Sequence, residues 1–242
     1  FLWWPSGDFA NSPVFQDLVE IVDRLIVDSA QLGNDASALA QLRTLLDDED
    51  DPWVGDFTWL RLQPWRQLVA QFFDPQEVQP ALETIAQVNI AYTPTREDRG
   101  SGLAAALLMV GWLASRLNWE VLEPLEQRKA GGWTTPLRSG NSDKKVRHIQ
   151  VRLSPDQTIE SHFSLRSVEI VSIDDHEGVF RVLRTDKDDL ITSSETADAP
   201  YVSRVVYARR QTSVEMLGEE LQRFGPDPIL EDAVRFATRM LP

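Results

Sequence analysis

Cysteine is absent from all 242 residues. That excludes disulfides, thiolate catalysis, zinc-thiolate centres and any thiol switch carried by this chain, and it suits a reducing cytoplasm. Histidine is nearly as scarce. The three residues, His148, His162 and His176, show neither His-x-x-x-His nor Glu-x-x-His spacing, so no metal site is expected, and they read as strand or turn residues. The Gly-x-Ser-x-Gly elbow of a serine hydrolase is missing as well. Positive charge is the next shortage: 24 Lys and Arg stand against 38 Asp and Glu, for a net charge of -14. Such a field opposes nucleic acid and anionic membrane surfaces, and neither is expected as a partner. Long apolar runs are lacking too. The strongest, Leu103 to Ala114, is too short to cross a bilayer and reads as a buried helix. Phe1 opens an apolar stretch without a basic leader, so no signal peptide is expected, and the missing initiator Met raises the expectation of a further N-terminal segment.

What is present is a composition ordinary for a soluble globular protein, 42% hydrophobic and 26% charged. All eight tryptophans lie at or before Trp133. The most unusual stretch runs from Asp56 to Asp74, DFTWLRLQPWRQLVAQFFD. It reads as a strand or loop that carries Trp59 and Arg61 and feeds a helix with Pro64 in its first turn, where a missing N–H is harmless. Trp65, Leu68, Val69 and Phe72 recur at helical spacing. Arg66 falls in that first turn, where the helix dipole disfavours a cation. Carboxylates, carbonyls or aromatic faces should therefore hold Arg61 and Arg66.

Upstream, Phe1 to Trp4 reads as a short strand closed by Pro5, Ser6 and Gly7. Ser12 caps a helix that opens with Pro13 and is expected to bury Phe15, Leu18, Val19 and Val22. Arg24 to Val27 reads as a strand, Ala36 to Leu46 as a helix, and the acidic run Asp47 to Asp51 as a solvated loop. Val88 to Tyr92 is a further strand, followed by a polar connection and a helix from Gly102 capped by Ser101. Strands alternating with helices predict an α/β fold, with a three-layer, mostly parallel sheet in the first half. The glycine- and serine-rich stretch near 131–145 reads as a linker or long loop. The second half changes to period two: Ile149, Val151 and Leu153, then Ile159, Phe163 and Leu165, with a phase slip at Arg166 and Ser167 that suggests a bulge or a tight turn. Strands at Val179 to Leu183, Leu190 to Ser193 and Tyr201 to Ala208 complete an antiparallel, β-rich α+β unit. A capping box at Thr212 and Glu215 opens a helix expected to bury Val214, Leu217, Leu221 and Phe224. Asp227 and Pro228 open the last helix, with Ile229, Ala233, Phe236 and Met240 inward. The expected organisation is thus 1–130 as a Rossmann-like α/β domain, 131–145 as linker, and 146–242 as antiparallel sheet with two C-terminal helices.

Candidate chemistry is thin. Gly100, Ser101 and Gly102 before a helix could cradle an anion, but the dinucleotide and P-loop spacings are missing. Asp174 with Asp175 and Asp188 with Asp189 fit turns between strands better than paired catalytic carboxylates. A cleft lined by Trp59, Arg61, Trp65 and Arg66 would suit a sugar phosphate or nucleotide in an α/β enzyme, and the same residue types are common at protein–protein hot spots. Core packing remains the commonest fate of such tryptophans.

Several strings together resemble the bacterial OpcA family, the glucose-6-phosphate dehydrogenase assembly or activator proteins: FLWWP from Phe1, DRLIVDSA from Asp23, TWLRLQPWRQLVAQFFD from Thr58, GWLASRLNW from Gly111 and, more weakly, LGEELQRFGPDPILEDAV from Leu217. They span nearly the whole chain in order. The resemblance implies a non-catalytic accessory protein that binds oligomeric glucose-6-phosphate dehydrogenase, at the entry to the oxidative pentose phosphate pathway, and promotes its active form. It implies no catalytic residue, cofactor or metal. It makes Trp59, Arg61, Pro64, Trp65 and Arg66, with Asp23, Arg24 and Asp28 of the second string, candidates for a partner-binding or structural motif.

Overall fold

A computed structural model describes residues 1–5, 12–32, 35–47, 52–94, 102–129, 131–139, 146–157, 165–187, 189–197 and 199–242. The fold begins with a small parallel sheet. Strands β1 (Leu2–Trp3), β2 (Arg24–Val27) and β3 (Trp53–Asp56) lie in the order β1-β2-β3, with Leu2 opposite Leu25 and Val27 opposite Asp56. All four residues of β2 are buried, as the unbroken apolar run Leu25-Ile-Val requires of a strand covered on both faces. Between β1 and β2, α1 (Pro13–Val19) starts as expected, with the Ser12 hydroxyl accepting from the Phe15 N–H at 3.3 Å. Its burial is narrower than expected: Phe15 is buried, whereas Leu18, Val19 and Val22 are half-buried. Helix α2 (Asp35–Asp47) follows, packing Leu39, Leu42 and Leu45 into the core.

The approach to the central stretch is not a strand or loop. Helix α3 (Phe57–Arg61) runs there, and α4 (Gln63–Gln71) follows after Leu62, with Pro64 in its first turn. Asp56 decides this, because its Oδ1 accepts from the Thr58 N–H at 3.0 Å and caps α3. The β-prone Phe-Thr-Trp run is overridden by that cap.

The second sheet has nine strands: β4 (Ile85–Tyr92), β5 (Trp119–Val121), β6 (Glu126–Gln127), β7 (Trp133–Ser139), β8 (His148–Pro155), β9 (Leu165–Ser172), β10 (Gly178–Arg184), β11 (Leu190–Thr196) and β12 (Ala199–Val206). Their order is β12-β11-β10-β9-β4-β8-β7-β5, and β6 pairs with β7. Two expectations are corrected here. Strand β4 does not extend the parallel sheet of the first half. It lies between β8, parallel to it, and β9, antiparallel to it. Its burial alternates, with Val88, Ile90 and Tyr92 inside, which fits a sheet covered on one face better than one buried on both. Within 131–145, Trp133 to Ser139 is the strand β7 rather than a loop; 140–145 lie outside the described residues. The phase slip at Arg166 is a bulge: Ala91 faces Ser167 and Tyr92 faces Leu165, leaving Arg166 as the extra residue. Ile159, Phe163, Ser101, Asp188, the turn after Pro5 and most of the acidic run 47–51 lie outside the described residues.

Three further helices complete the fold. Helix α5 (Gly102–Arg116) buries eleven residues, including Ala104 to Gly111 without a break. Among the described residues, no helix is long and apolar enough to cross a membrane. Helix α7 (Pro228–Arg239) packs on α5 and α2. The contact with α5 is so close that a Cβ at Gly111 would collide with the Ala233 carbonyl. One buried apolar cluster runs from Phe15 through Ile90 and Val182 to Met240. Helix α6 (Ser213–Glu220) carries the expected capping box but turns a different face inward. Met216 and Glu220 are buried, Leu217 is half-buried, and Val214 and Phe224 are 76% and 93% exposed. The inner face is selected by Met216 against Ile26, Phe57 and Leu60 and by the ion pair that Glu220 makes, which apolar periodicity cannot register.

Candidate functional site

The carboxyl ends of parallel strands are where open α/β sheets usually bind ligands. Here Asp28 directly follows β2 and Asp56 ends β3, and the chain fills that position with its own side chains. The Asp56 carboxylate is fully buried and accepts three hydrogen bonds: from the Ser29 N–H at 2.9 Å, the Ser29 hydroxyl at 2.8 Å and the Thr58 N–H at 3.0 Å. Beside it, Asp28 accepts from the Thr58 hydroxyl at 3.0 Å, from Gln31 Nε2 at 2.8 Å and from the Arg61 fork, Nη1 at 2.8 Å and Nη2 at 2.5 Å. Burial, and then the neighbouring Asp28 charge, push Asp56 up to about 6 in spite of the hydrogen bonds from Ser29 and Thr58. Burial acts to lower the Arg61 pKa, but its hydrogen bonds to Asp28 and the charges of Asp28 and Asp56 outweigh that and leave it raised.

A second group surrounds Trp59. The Arg66 guanidinium carbon lies 3.2 Å from the Trp59 ring centroid, and Nη2 reaches the Trp59 carbonyl at 3.4 Å. The indole N–H donates to Asp227 Oδ2 at 2.9 Å, so the residue that caps α7 through Oδ1 also anchors the Trp59 ring. Burial lowers the Arg66 pKa to about 10; Asp227 opposes this and Arg223 adds to it. Trp65 is buried, with the Arg184 guanidinium carbon 5.4 Å from its ring. At the other end of β2, Arg24 is 2% exposed and bonds Glu220 Oε2 at 3.0 Å and the carbonyls of Arg223 and Gly225 at 3.1 Å each. A Cβ at Gly55 would strike the Glu220 carboxylate, so glycine there is what lets the ion pair close over β3.

The candidate residues therefore separate into two places. Asp28 and Arg61 meet at the carboxyl end of β2. Arg24 lies at its amino end, and Trp59 and Arg66 lie toward α7. Pro64 only shapes the start of α4, and Asp23 takes part through its backbone, its carbonyl accepting from the Trp53 N–H at 3.0 Å. Sequence reasoning missed Ser29, Asp56, Thr58, Glu220 and Asp227. The Asp-Phe-Thr cap pattern could have disclosed Asp56; nothing local could have disclosed Glu220. A carboxyl with a raised pKa suits acid–base chemistry only where a substrate can reach it, and Asp56 is sealed with its oxygens already bonded. Trp59 and Trp65 are both buried.

Other polar features are self-contained as well. Asp174 and Asp175 sit in the turn between β9 and β10, where Asp174 pairs with Arg147 at 2.5 Å. An open cleft of about 560 Å³ at the ends of α5 and α7 carries Arg116, Arg235 and Arg239. There Arg116 pairs with Asp232, and Arg235 with Asp47 and Glu231. Among the described residues no group of three or more metal-ligating side chains is assembled.

The fold, with its sealed corner, defines an α/β protein of two sheets with two C-terminal helices, and the chain belongs to a known family. Residues 52–234 match the family described as the C-terminal domain of a glucose-6-phosphate dehydrogenase subunit, the OpcA family. Among curated relatives, a putative OxPP cycle protein OpcA from Synechocystis is 37% identical over 119 residues, 49% of this chain and 23% of that protein. Its namesake from Nostoc punctiforme is 27% identical over 97% of this chain and 49% of that protein. The chain spans about half the length, or less, of the curated relatives it matches. Among solved structures, a mutant of the transcriptional regulator Gal80p from Saccharomyces cerevisiae aligns with a TM-score of 0.48 at 11% identity, covering 94% of this chain and 72% of that one.

Proposed function

We propose that this chain belongs to a non-catalytic accessory protein of the cytoplasm that binds oligomeric glucose-6-phosphate dehydrogenase and promotes its assembled, active form. The observation that carries this reading is family membership over 52–234, and the corner at Asp28, Asp56 and Arg61 supports it: polar groups placed where an α/β enzyme would meet substrate are spent on one another. Such a protein activates by binding the competent state of its partner more tightly than the other states, since equal affinity shifts nothing. The test is to add the purified protein to its cognate dehydrogenase and to follow rate against glucose 6-phosphate, with size-exclusion chromatography of the mixture. The expected result is a lower apparent substrate requirement and co-elution. An unchanged curve with separate elution ends the proposal.

A further inference from the structure

Strand β12 closes one end of the nine-stranded sheet, and among the described residues its outer side pairs with no strand. It is eight residues long and is followed directly by Tyr207. Tyr201 and Val205 in the strand and Tyr207 just past its end are 63%, 59% and 86% exposed, and the strand turns an apolar face outward at Val205. The face continues inward through half-buried aliphatic residues, with Val205 opposite Ile191 and Ile191 opposite Leu183. A long apolar edge is a template for pairing with another chain, and proteins normally blunt or cover it. Charge says which chain. Residues 201–211 carry three arginines and no acid in a molecule of net charge -14. Arg209 is paired with Glu215, but Arg204, in the middle of the edge, is exposed and has no ionic partner among the described residues.

We propose that β12 is a docking edge that takes an acidic, extended segment of a partner protein as an added strand. The backbone groups of β12 that point away from β11 would bond the incoming strand, Tyr201, Val205 and Tyr207 would cover its apolar side chains, and Arg204 would meet a carboxylate. A second copy of this chain brings the same basic strand and no carboxylate to match it, and a single-stranded nucleic acid meets the opposing field of the whole molecule. The inference rests on the reading of this chain as one that works by binding another protein.

Two arms of one experiment keep the two readings apart. In the first, amide hydrogen exchange over 201–206 is followed with the peptide Glu-Val-Glu-Val-Glu-Val-Glu at millimolar concentration, and with its lysine counterpart and an oligothymidine as comparisons. The acidic peptide alone slows exchange there; Arg204→Glu weakens its binding by about tenfold while Arg204→Lys keeps it. Because Arg204 is exposed, both variants fold, which the unchanged exchange of α5 verifies. No protection of 201–206, an equal response to the lysine peptide, or a response to the oligothymidine instead, overturns the docking edge. In the second arm the purified dehydrogenase replaces the peptide. Protection of 201–206 by both supports the edge and the function together. Uptake of the peptide without the dehydrogenase overturns the proposed function and leaves the edge standing; binding of the dehydrogenase with 201–206 unprotected does the reverse.

Discussion

Two regions of this molecule treat arginine in opposite ways. Around α3 and α6, Arg24 and Arg61 are each paired with a carboxylate, and Arg66 is held by a carbonyl and an indole face. Along β12, Arg204 is exposed beside Tyr201 and Val205, with no ionic partner among the described residues. The difference teaches how to read a chain so rich in tryptophan and arginine. The region most conspicuous in sequence is the one whose charged groups are mostly engaged within the fold, and a plainer stretch holds exposed groups able to recognise something else. Burial makes the first expensive to disturb and exposure makes the second cheap, which gives the comparison its tests.

The largest effect is expected from Glu220→Ala. It strands the Arg24 guanidinium, 2% exposed, without its carboxylate, and should cost about 3–5 kcal/mol of stability by urea unfolding. Replacing both partners with apolar residues of similar size should recover most of it. A loss near zero for Glu220→Ala would show that the corner is not held as described.

A smaller effect concerns pH. Asp56 has its folded pKa raised from 3.8 to about 6, so the folded state holds its proton more tightly than the unfolded chain does. Its contribution is fully present below pH 3.8 and is lost as pH rises through about 6, a change of about 3 kcal/mol in that group's share. Asp56→Asn cannot titrate, so the difference in unfolding free energy between the variant and the parent should vary with pH across this window. A constant difference between pH 4 and pH 7 would remove Asp56 as the titrating group.

The smallest effect belongs to the edge. Tyr207→Ser removes a ring that is 86% exposed and should change stability by no more than about 0.5 kcal/mol. A loss of several kcal/mol on denaturation would mean that the ring is covered within the chain and that the contrast between the regions fails.

The caps and periodicities carried much of the fold. Ser12, Thr212 and Asp227 open helices where their side chains indicate, β2 spans the expected Arg24 to Val27, and the slip at Arg166 is a true bulge. The failures share one cause. In β4 the alternation of buried positions was legible, but not the sheet to which they belonged. In α6 the apolar residues Val214 and Phe224 outweighed Glu220, because hydrophobic spacing counts a buried ion pair as polar surface. At α3, β propensity concealed a cap that Asp56 and Thr58 supply in three consecutive positions. The candidate site divides likewise: Arg61 and Arg66 were singled out as residues that need partners, and Asp28 and Trp59 stood among the candidates, but neither pairing was named.

By itself the sequence determined that this chain has no thiol chemistry, where most of its helices begin, which strands alternate and which family it belongs to, since each of these depends on residue types or on spacings of a few positions. Only the tertiary structure decided that β4 lies between β8 and β9, that α6 turns a carboxylate inward, and that β12 is left at an open edge. Those outcomes depend on contacts such as Arg24 with Glu220, 196 positions apart, and no local spacing records which distant group will neutralise a buried charge.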